Sequence, residues 1–228
     1  MGRRGLSRSV KRVPPSQEAL ARYLHLWRYE EAQALPDGGL PRIDAQTLFG
    51  RELPLELEVG CGTGEFLNAL AAERPETGFV GVDVSTKSLF LAVRQASDLG
   101  LQNVRYFRAP MDALYPRLVP DSLSTVYVHF PDPFVRGRGQ HRILNLDFIE
   151  RMRVASRVGG LLSVVSDKPE LFHEVLDLVE GLDGWEKTHS ERFLLGYEPP
   201  VKSRYQVKWE RFDLTAMRFE LRKLKPAA

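Results

Sequence analysis

Residues 55–65 read LELEVGCGTGE, a short β-rich run followed at once by three closely spaced glycines. Glycine suits a loop that turns tightly and lets a ligand approach the backbone without a Cβ in the way. A helical pattern follows from Phe66 to Ala72, so the stretch predicts a strand, a ligand-binding loop and a helix. Glu65 stands where a G-x-G-x-x-G dinucleotide motif needs its third glycine, which disfavours a nicotinamide or flavin cofactor.

Two carboxylates accompany this glycine loop. Glu58 precedes it, and Asp83 ends the next predicted strand 23 residues beyond Gly60, close to the roughly 20-residue offset at which an acid meets ribose hydroxyls. The spacing G-x-G-x-G behind an acid fits the methionine end of S-adenosylmethionine, whose sulfonium and ammonium groups are positively charged. The predicted cofactor-binding residues here are Glu58, Gly60, Gly62, Gly64 and Asp83. The alternative is that the glycines only shape a turn. Cys61 is expected to be a small buried residue rather than a nucleophile, because no histidine is near it in sequence.

Strand and helix patterns alternate from residue 53 onward, which is typical of βαβ units and a mainly parallel sheet. The strand candidates are Leu55–Val59, Phe79–Val84, Asn103–Arg108, Ser124–Phe130 and Leu161–Ser166. Helices are expected after the cap Ser85, over Asn145–Arg157 with a stop at Gly159 and Gly160, and from Pro169 to near Gly181. Trp185–Arg192 and Trp209–Lys223 then read as an antiparallel strand pair. We predict an α/β fold with a Rossmann-like seven-stranded methyltransferase sheet, although periodicity alone also admits another doubly wound fold.

The first 50 residues differ in character from the remainder. Among prolines and glycines they hold one helical pattern, Ser16–Glu31. We therefore predict that residues 1–50 form a basic N-terminal arm and an extension packed on the sheet, and that residues 51–228 form an S-adenosylmethionine-dependent methyltransferase domain.

Charge is distributed unevenly along the chain. The net charge is +2, but residues 1–12 and 201–225 each carry +5, which leaves −8 for residues 13–200. Basic ends around an acidic body suggest a polyanionic partner, although basic termini are also often merely solvated tails. No apolar run approaches the roughly 20 residues of a membrane span, and the single cysteine excludes an internal disulfide and a cysteine zinc cage. We expect no metal, a cytoplasmic location, and a monomer because no apolar stripe demands a partner.

A proline-framed acid follows the fourth predicted strand. Residues 124–134 read STVYVHFPDPF, so prolines on both sides fix the backbone around Asp132 at the carboxyl edge of the sheet. Phe134 could stack on a substrate base, and the basic residues that follow suit phosphate contacts. The alternative is an ordinary proline turn with a solvated loop. His129, on an apolar strand, is expected to be a satisfied core or edge histidine rather than a catalytic base.

These motifs together resemble the bacterial single-subunit tRNA (guanine-N7-)-methyltransferases. Residues 58–64, EVGCGTG, resemble the family's E-[IV]-G-x-G-x-G, and residues 130–138, FPDPFVRGR, resemble its F-P-D-P-W-x-K-x-R. Ser166-Asp167 match its T-D after the fifth strand, and residues 202–206, KSRYQ, stand where it has T-K-[FY]-E. The resemblance covers residues 53–225. It implies a methyl transfer from S-adenosylmethionine to N7 of a tRNA guanosine in the variable loop.

Site residues follow from this resemblance position by position. Glu58, Asp83 and Asp132 would line the cofactor and reaction site, with Asp132 as the catalytic residue. The family has an acid after the third strand, but Pro110 falls at its spacing here. Asp112, two residues later, would supply this acid instead. Substrate contacts would come from Arg136, Asp167, Ser203 and Gln206. Phosphate contacts would come from Arg138, His141 and Arg142.

The chain departs from the family pattern at several of these positions, and Gln206 in place of glutamate matters most. An amide leaves only its carbonyl to accept the N1 and N2 hydrogens of guanine. Two other classes of function stay open at this stage: a methyltransferase of small molecules, which has little need of basic ends, and a non-catalytic RNA-binding protein with a degenerate cofactor site.

Overall fold

The computed structural model describes residues 14–30, 35, 39–132, 143–199, 201–202, 206–207 and 215–225. The α-helices of this part are α1 (Gln17–Tyr23), α2 (Ala45–Phe49), α3 (Glu65–Glu73), α4 (Thr86–Asp98), α5 (Met111–Leu114), α6 (Leu146–Ala155) and α7 (Pro169–Val179), and Tyr115–Arg117 form a 3-10 helix. The strands are β1 (Leu24–Leu26), β2 (Leu55–Val59), β3 (Gly78–Asp83), β4 (Val104–Arg108), β5 (Leu123–His129), β6 (Ser156–Ser166), β7 (Trp185–Lys187), β8 (Leu194–Leu195) and β9 (Met217–Lys223).

One sheet organises the molecule. Its strand order is β1-β4-β3-β2-β5-β6-β9-β7, with β8 beside β9. Strands β1 to β6 pair in parallel, whereas β9 runs antiparallel to β6, β7 and β8. The predicted mostly parallel α/β sheet with antiparallel C-terminal strands is confirmed, but it has nine strands rather than the seven predicted, because β1 and β8 also join it. The strand order reverses between β2 and β5, and ligands of open α/β sheets bind at the carboxyl ends of the strands at such a point.

Apolar side chains cover both faces of this sheet. One cluster includes Phe66 of α3 and Leu89 of α4, together with Tyr23 of α1. The other includes Phe148 of α6 and Phe172 of α7. The expected cap of α4 is present, because the Ser85 hydroxyl accepts the Ser88 amide at 3.3 Å. None of the helices in the described ranges is both long and apolar enough to cross a membrane.

The N-terminal helix is shorter than predicted. The pattern Ser16–Glu31 predicts one helix, but α1 ends at Tyr23 and the chain continues as strand β1. Leu24–Leu26 pair in parallel with residues 106–108 of β4, and the Tyr23 hydroxyl donates to the Leu101 carbonyl at 2.7 Å. Hydrogen bonding to an otherwise open sheet edge therefore outweighs the local helical preference. Strand β1 thereby places part of the extension in the same sheet as the downstream strands.

The glycine pair 159–160 is a second correction. We expected a helix to Arg157, a glycine stop and a strand from Leu161, but α6 ends at Ala155 and β6 already begins at Ser156. The pairing register of β5 and β6 shifts between Leu123 and Thr125. A Cβ on Gly160 would lie 2.8 Å from the Arg157 carbonyl oxygen. The glycines therefore form an irregularity inside a strand, where backbones approach closely. Strand β7 is also shorter than expected, and residues 209–214 of the last predicted strand lie outside the described residues.

Candidate active site at the carboxyl edge of the sheet

The glycine loop joins β2 to α3 in a backbone conformation that favours glycine. Gly60, Gly62 and Gly64 have φ values of +81°, +57° and +76°. The amides of Gly60 and Cys61 both donate to the Val82 carbonyl, at 2.8 and 3.0 Å. Residues with a Cβ rarely adopt a positive φ, so the backbone conformation at these three positions explains why glycines occur at this spacing.

Two of these glycines differ in what surrounds them. A Cβ on Gly64 would lie 2.6 Å from the Ala92 Cβ and 2.8 Å from the Tyr106 hydroxyl, so glycine is required there for close packing of α4 and β4. A Cβ on Gly62 would meet nothing closer than the Gly60 carbonyl oxygen at 4.0 Å. The space over Gly62 is therefore open, as a cofactor-binding loop requires.

Asp83, the last residue of β3, faces this opening. Its Oδ2 accepts the Gly62 amide at 3.0 Å, and its Oδ1 accepts the Ser85 amide at 2.7 Å. An ionised carboxylate has about four lone-pair positions, so each oxygen can still accept a hydroxyl hydrogen. Asp83 thus both fixes the loop and presents the acceptors that a ribose needs.

Carboxylates surround the loop. Glu58, on β2, is buried with 6% of its surface exposed. Burial and the charges of Asp83 and Glu58 raise the pKa of the Cys61 thiol. A protonated, buried thiol agrees with the expectation that Cys61 is not a nucleophile. The donor set of open glycine backbone and carboxylates fits a ligand that carries a sulfonium and ribose hydroxyls. In the described ranges no group of histidine, cysteine, aspartate and glutamate side chains could hold a metal ion.

Asp132 lies three residues beyond the end of β5, the strand that pairs with β2. It is half-buried. Phe130, just before it, has a φ of +50°, and its amide donates to the Val165 carbonyl at 2.7 Å. A positive φ is strained for a bulky side chain. The chain therefore turns sharply at the end of β5, and the sequence gives no sign of this strain beyond the proline that follows.

His129 is a core residue, as expected. Its ring centroid lies 5.0 Å from those of Phe66 and Tyr197 and 5.3 Å from that of Tyr127. Its Nε2 lies 3.4 Å from the Ser163 hydroxyl. Burial lowers the pKa of His129 to about 3. The imidazole is therefore neutral near pH 7.

Residues expected to contact the guanosine come from two further segments. Asp167 follows β6 with 3% of its side chain exposed, and its Oδ2 lies 3.1 Å from the Lys168 Nζ. Gln206 is buried, and its Nε2 donates to the Tyr197 carbonyl at 2.7 Å. Asp112, which is expected to bind the cofactor rather than the guanosine, lies in the first turn of α5, after β4, and its side chain is exposed.

Six other residues expected at the site lie outside the described residues: Phe134, Arg136, Arg138, His141, Arg142 and Ser203. Conversely, sequence reasoning missed Tyr197, which contacts both His129 and Gln206. The one local signal was the preceding Gly196, which has a φ of +80°.

Comparisons with known proteins identify the family of the chain. Residues 52–218 match a family model described as "Putative methyltransferase". The chain is 44% identical to the tRNA (guanine-N(7)-)-methyltransferase of Rubrobacter xylanophilus, over 97% of this chain and 99% of the relative. It is 35% identical to the tRNA (guanine-N(7)-)-methyltransferase of Chloroherpeton thalassium, over 93% of this chain and 94% of the relative.

Solved structures agree in fold. An rRNA methylase from Streptococcus thermophilus has a TM-score of 0.53 at 20% identity, covering 76% of this chain and 88% of that one. The 16S rRNA (adenine(1408)-N(1))-methyltransferase from Catenulisporales acidiphilia has a TM-score of 0.57 at 17% identity, covering 77% and 88%. From the two curated relatives and the family model, the chain belongs to the tRNA (guanine-N7-)-methyltransferase family.

Proposed function

We propose that this enzyme methylates a guanosine in the variable loop of tRNA, and that Asp132, Asp167 and Gln206 position the base and stabilise its charge. The reaction of the family is methyl transfer to N7 of guanosine in tRNA. The methyl donor is S-adenosylmethionine, whose sulfonium supplies an electrophilic methyl group when bound. Glu58, Asp83, Asp112 and the glycine loop would hold it, and the open space over Gly62 is the observation that supports this assignment.

The chemistry requires little proton transfer. N7 of guanine already carries a lone pair in the ring plane, so no general base is needed before it attacks a methyl group. His129 fits this requirement, because it is buried and neutral. The enzyme's contribution is then mainly to hold the base and the methyl donor in line, and such placement lowers the barrier substantially.

Asp132 has a different task. Methylation at N7 leaves the purine positively charged, and a fixed carboxylate stabilises that charge as it develops. Asp132 follows β5, which neighbours β2, so it lies at the carboxyl edge that also carries the glycine loop. The position of this acid at the reversal point of the sheet is the observation that carries the proposal.

Asp167 and Gln206 would recognise the guanine edge. Guanine presents hydrogens at N1 and N2, whereas adenine has an acceptor at N1 and no amino group at N2. Asp167 can accept one of these hydrogens, and Lys168 at 3.1 Å holds its carboxylate. The Gln206 Nε2 is engaged by the Tyr197 carbonyl, so its Oε1 is the atom suited to accept the other.

The tRNA backbone would be held elsewhere. Arg136 follows Asp132 by four positions and Ser203 precedes Gln206 by three, so these two residues would contact the guanosine nucleotide itself. Arg138, His141, Arg142 and the basic ends of the chain would bind phosphates, an affinity that falls with salt. We further propose that the enzyme acts as a monomer in the cytoplasm, without a protein partner, in keeping with its single cysteine and tRNA substrate.

The test transfers labelled methyl groups to an unmodified tRNA transcript and identifies the product nucleoside after digestion. Reduction and aniline cleavage at 7-methylguanosine then locate the modified residue. Cleavage within the variable loop is expected, together with loss of label when the guanosines of that loop are replaced by adenosine. Cleavage elsewhere would overturn the assignment to the variable loop.

A matched pair of variants tests Asp132. Asp132→Asn keeps the shape and removes the charge, so kcat measured at saturating S-adenosylmethionine should fall about 10²-fold or more. Asp98→Asn, at the exposed end of α4, is the control and should leave kcat unchanged. Near-normal turnover of Asp132→Asn with cofactor bound would exclude the charge-stabilising role.

A further inference from the structure

Tyr197 joins two parts of the site that are far apart in sequence. Its backbone carbonyl accepts the Gln206 Nε2 at 2.7 Å. Its ring packs against His129 at a centroid distance of 5.0 Å, with its hydroxyl 3.5 Å from Nδ1. One residue thus contacts both a guanosine-side residue and the end of β5.

The segment that carries Tyr197 is anchored on its N-terminal side. Strand β8 pairs with β9, and the amide of Gly196 donates to the Ala216 carbonyl at 2.8 Å. The chain then leaves the sheet, and the Tyr197 ring is the next side chain that packs onto it. The position of this segment relative to the sheet therefore depends on how the Tyr197 ring packs.

The surface that receives the ring belongs to the reaction centre. His129 stands three residues before Asp132. The His129 ring also lies 5.0 Å from the ring of Phe66, in the first turn of the helix that follows the glycine loop. Burial and then the charge of Glu58 raise the pKa of the Tyr197 phenol above its usual range.

We propose that Tyr197 is a positioning residue that holds Gln206, and through it the guanine, in register with the Asp132 turn. The proposal rests on the guanosine contact assigned to Gln206 above. A side chain that reads a base must be held to about 0.5 Å, and a misplacement of about 1 Å is enough to cost roughly 10²-fold in rate. The ring of Tyr197 on His129 provides this constraint.

The main test compares three substitutions at full chain length. Tyr197→Ala should raise KM for tRNA and lower kcat, with a combined loss of about tenfold or more in kcat/KM, while the dissociation constant for S-adenosylmethionine stays within about twofold. Tyr197→Phe keeps the ring and should recover to within about threefold of the parent enzyme. Leu195→Ala, two residues away and 70% exposed, is the control and should match the parent enzyme.

A double-mutant cycle with Gln206→Ala separates the proposals. If Tyr197 acts through Gln206, adding Tyr197→Ala to Gln206→Ala should change kcat/KM by less than about twofold. Multiplicative losses would overturn the positioning role and leave the guanosine contact intact. A Gln206→Ala variant with normal kcat/KM and normal preference for guanosine would overturn the guanosine contact and the inference that rests on it.

Folding is controlled in the same experiments. All variants are assayed well below their melting temperatures, and Tyr197→Leu, which retains apolar volume, replaces Tyr197→Ala if the latter unfolds. Equal losses in tRNA kinetics and cofactor affinity across Tyr197→Ala and Tyr197→Leu would indicate general damage to the fold and would overturn the proposal.

Discussion

Alanine substitutions at the second and third glycines of the loop, Gly62 and Gly64, should separate a packing requirement from a ligand requirement. In Gly64→Ala the new methyl group lies 2.6 Å from the Ala92 Cβ and 2.8 Å from the Tyr106 hydroxyl. Ala92 is in helix α4, so the helix itself must shift, which costs about 1–3 kcal/mol. The left-handed backbone, with φ of +76°, adds about 1–2 kcal/mol for alanine.

The cost at Gly62 has another origin. Its φ of +57° carries a similar backbone cost, but the methyl group meets only the Gly60 oxygen at 4.0 Å. Gly100→Ala, with φ of +64° and open space around it, reports the backbone cost alone. Gly62→Ala should therefore match Gly100→Ala in stability, and Gly64→Ala should be less stable than both by about 1–3 kcal/mol.

Thermal unfolding and cofactor titration measure these differences. For a chain of 150–250 residues, 1 kcal/mol corresponds to roughly 2–4 °C, so Gly64→Ala should melt about 2–12 °C below Gly62→Ala. Affinity for S-adenosylmethionine should fall in Gly62→Ala, because there the methyl group enters the space assigned to the cofactor. We expect a loss of about tenfold or more there, equivalent to 1.4 kcal/mol, and a normal affinity in Gly100→Ala.

Two results would refute this reasoning. Equal melting temperatures for Gly64→Ala and Gly62→Ala would mean that α4 accommodates the methyl group without cost. Unchanged affinity of Gly62→Ala would mean that the open space beside Asp83 does not receive the cofactor.

Two further predictions concern stability. Arg74 makes two hydrogen bonds of 2.9 Å to the buried Glu56. Arg74→Met should lower the free energy of unfolding by about 2–3 kcal/mol, which is less than the loss of a fully buried partner costs because Arg74 is partly exposed. The control, Arg51→Met at the exposed pair with Glu76, should cost less than about 1 kcal/mol by urea denaturation, and equal losses would contradict the burial argument. Burial and the charge of Arg105 lower the pKa of His25 to about 4. Below pH 6.5 the unfolded chain therefore binds a proton at His25 that the folded chain does not bind, so the free energy of unfolding falls as pH falls. Between pH 6 and 5, His25→Phe should reduce that slope by about 1 kcal/mol per pH unit, and an unchanged slope would exclude the contribution of His25.

Much of the fold could be predicted because its signals are local. Strand β2, the glycine loop and α3 follow each other without interruption, and Ser85 caps α4 as its sequence suggests. The alternation of such units also predicts the parallel core. The same locality explains the prediction of Asp83, because an acid at the end of the next strand lies at a fixed offset from the loop.

The errors arise where distant residues decide the structure. Nothing in Leu24–Leu26 indicates that β4 offers an open edge, so the helical pattern of α1 extends too far in the sequence interpretation. Gly159 and Gly160 read as a stop, but the shifted pairing of β5 and β6 places them inside a strand. Tyr197 was missed for the same reason, since its partner His129 lies 68 positions away.

The charge pattern of the chain follows from two opposing demands of the reaction. The methyl donor and the methylated guanine are cationic, so the reaction site needs carboxylates, and we propose that Glu58 and Asp83 supply them at the sheet edge. The tRNA is a polyanion, and it would be repelled by those same charges. Screening limits this conflict, because at physiological salt exposed charges separated by more than about 8 Å interact weakly. The carboxylates assigned to the sheet edge and the net positive charge of residues 1–12 and 201–225 can therefore act on different parts of the same substrate.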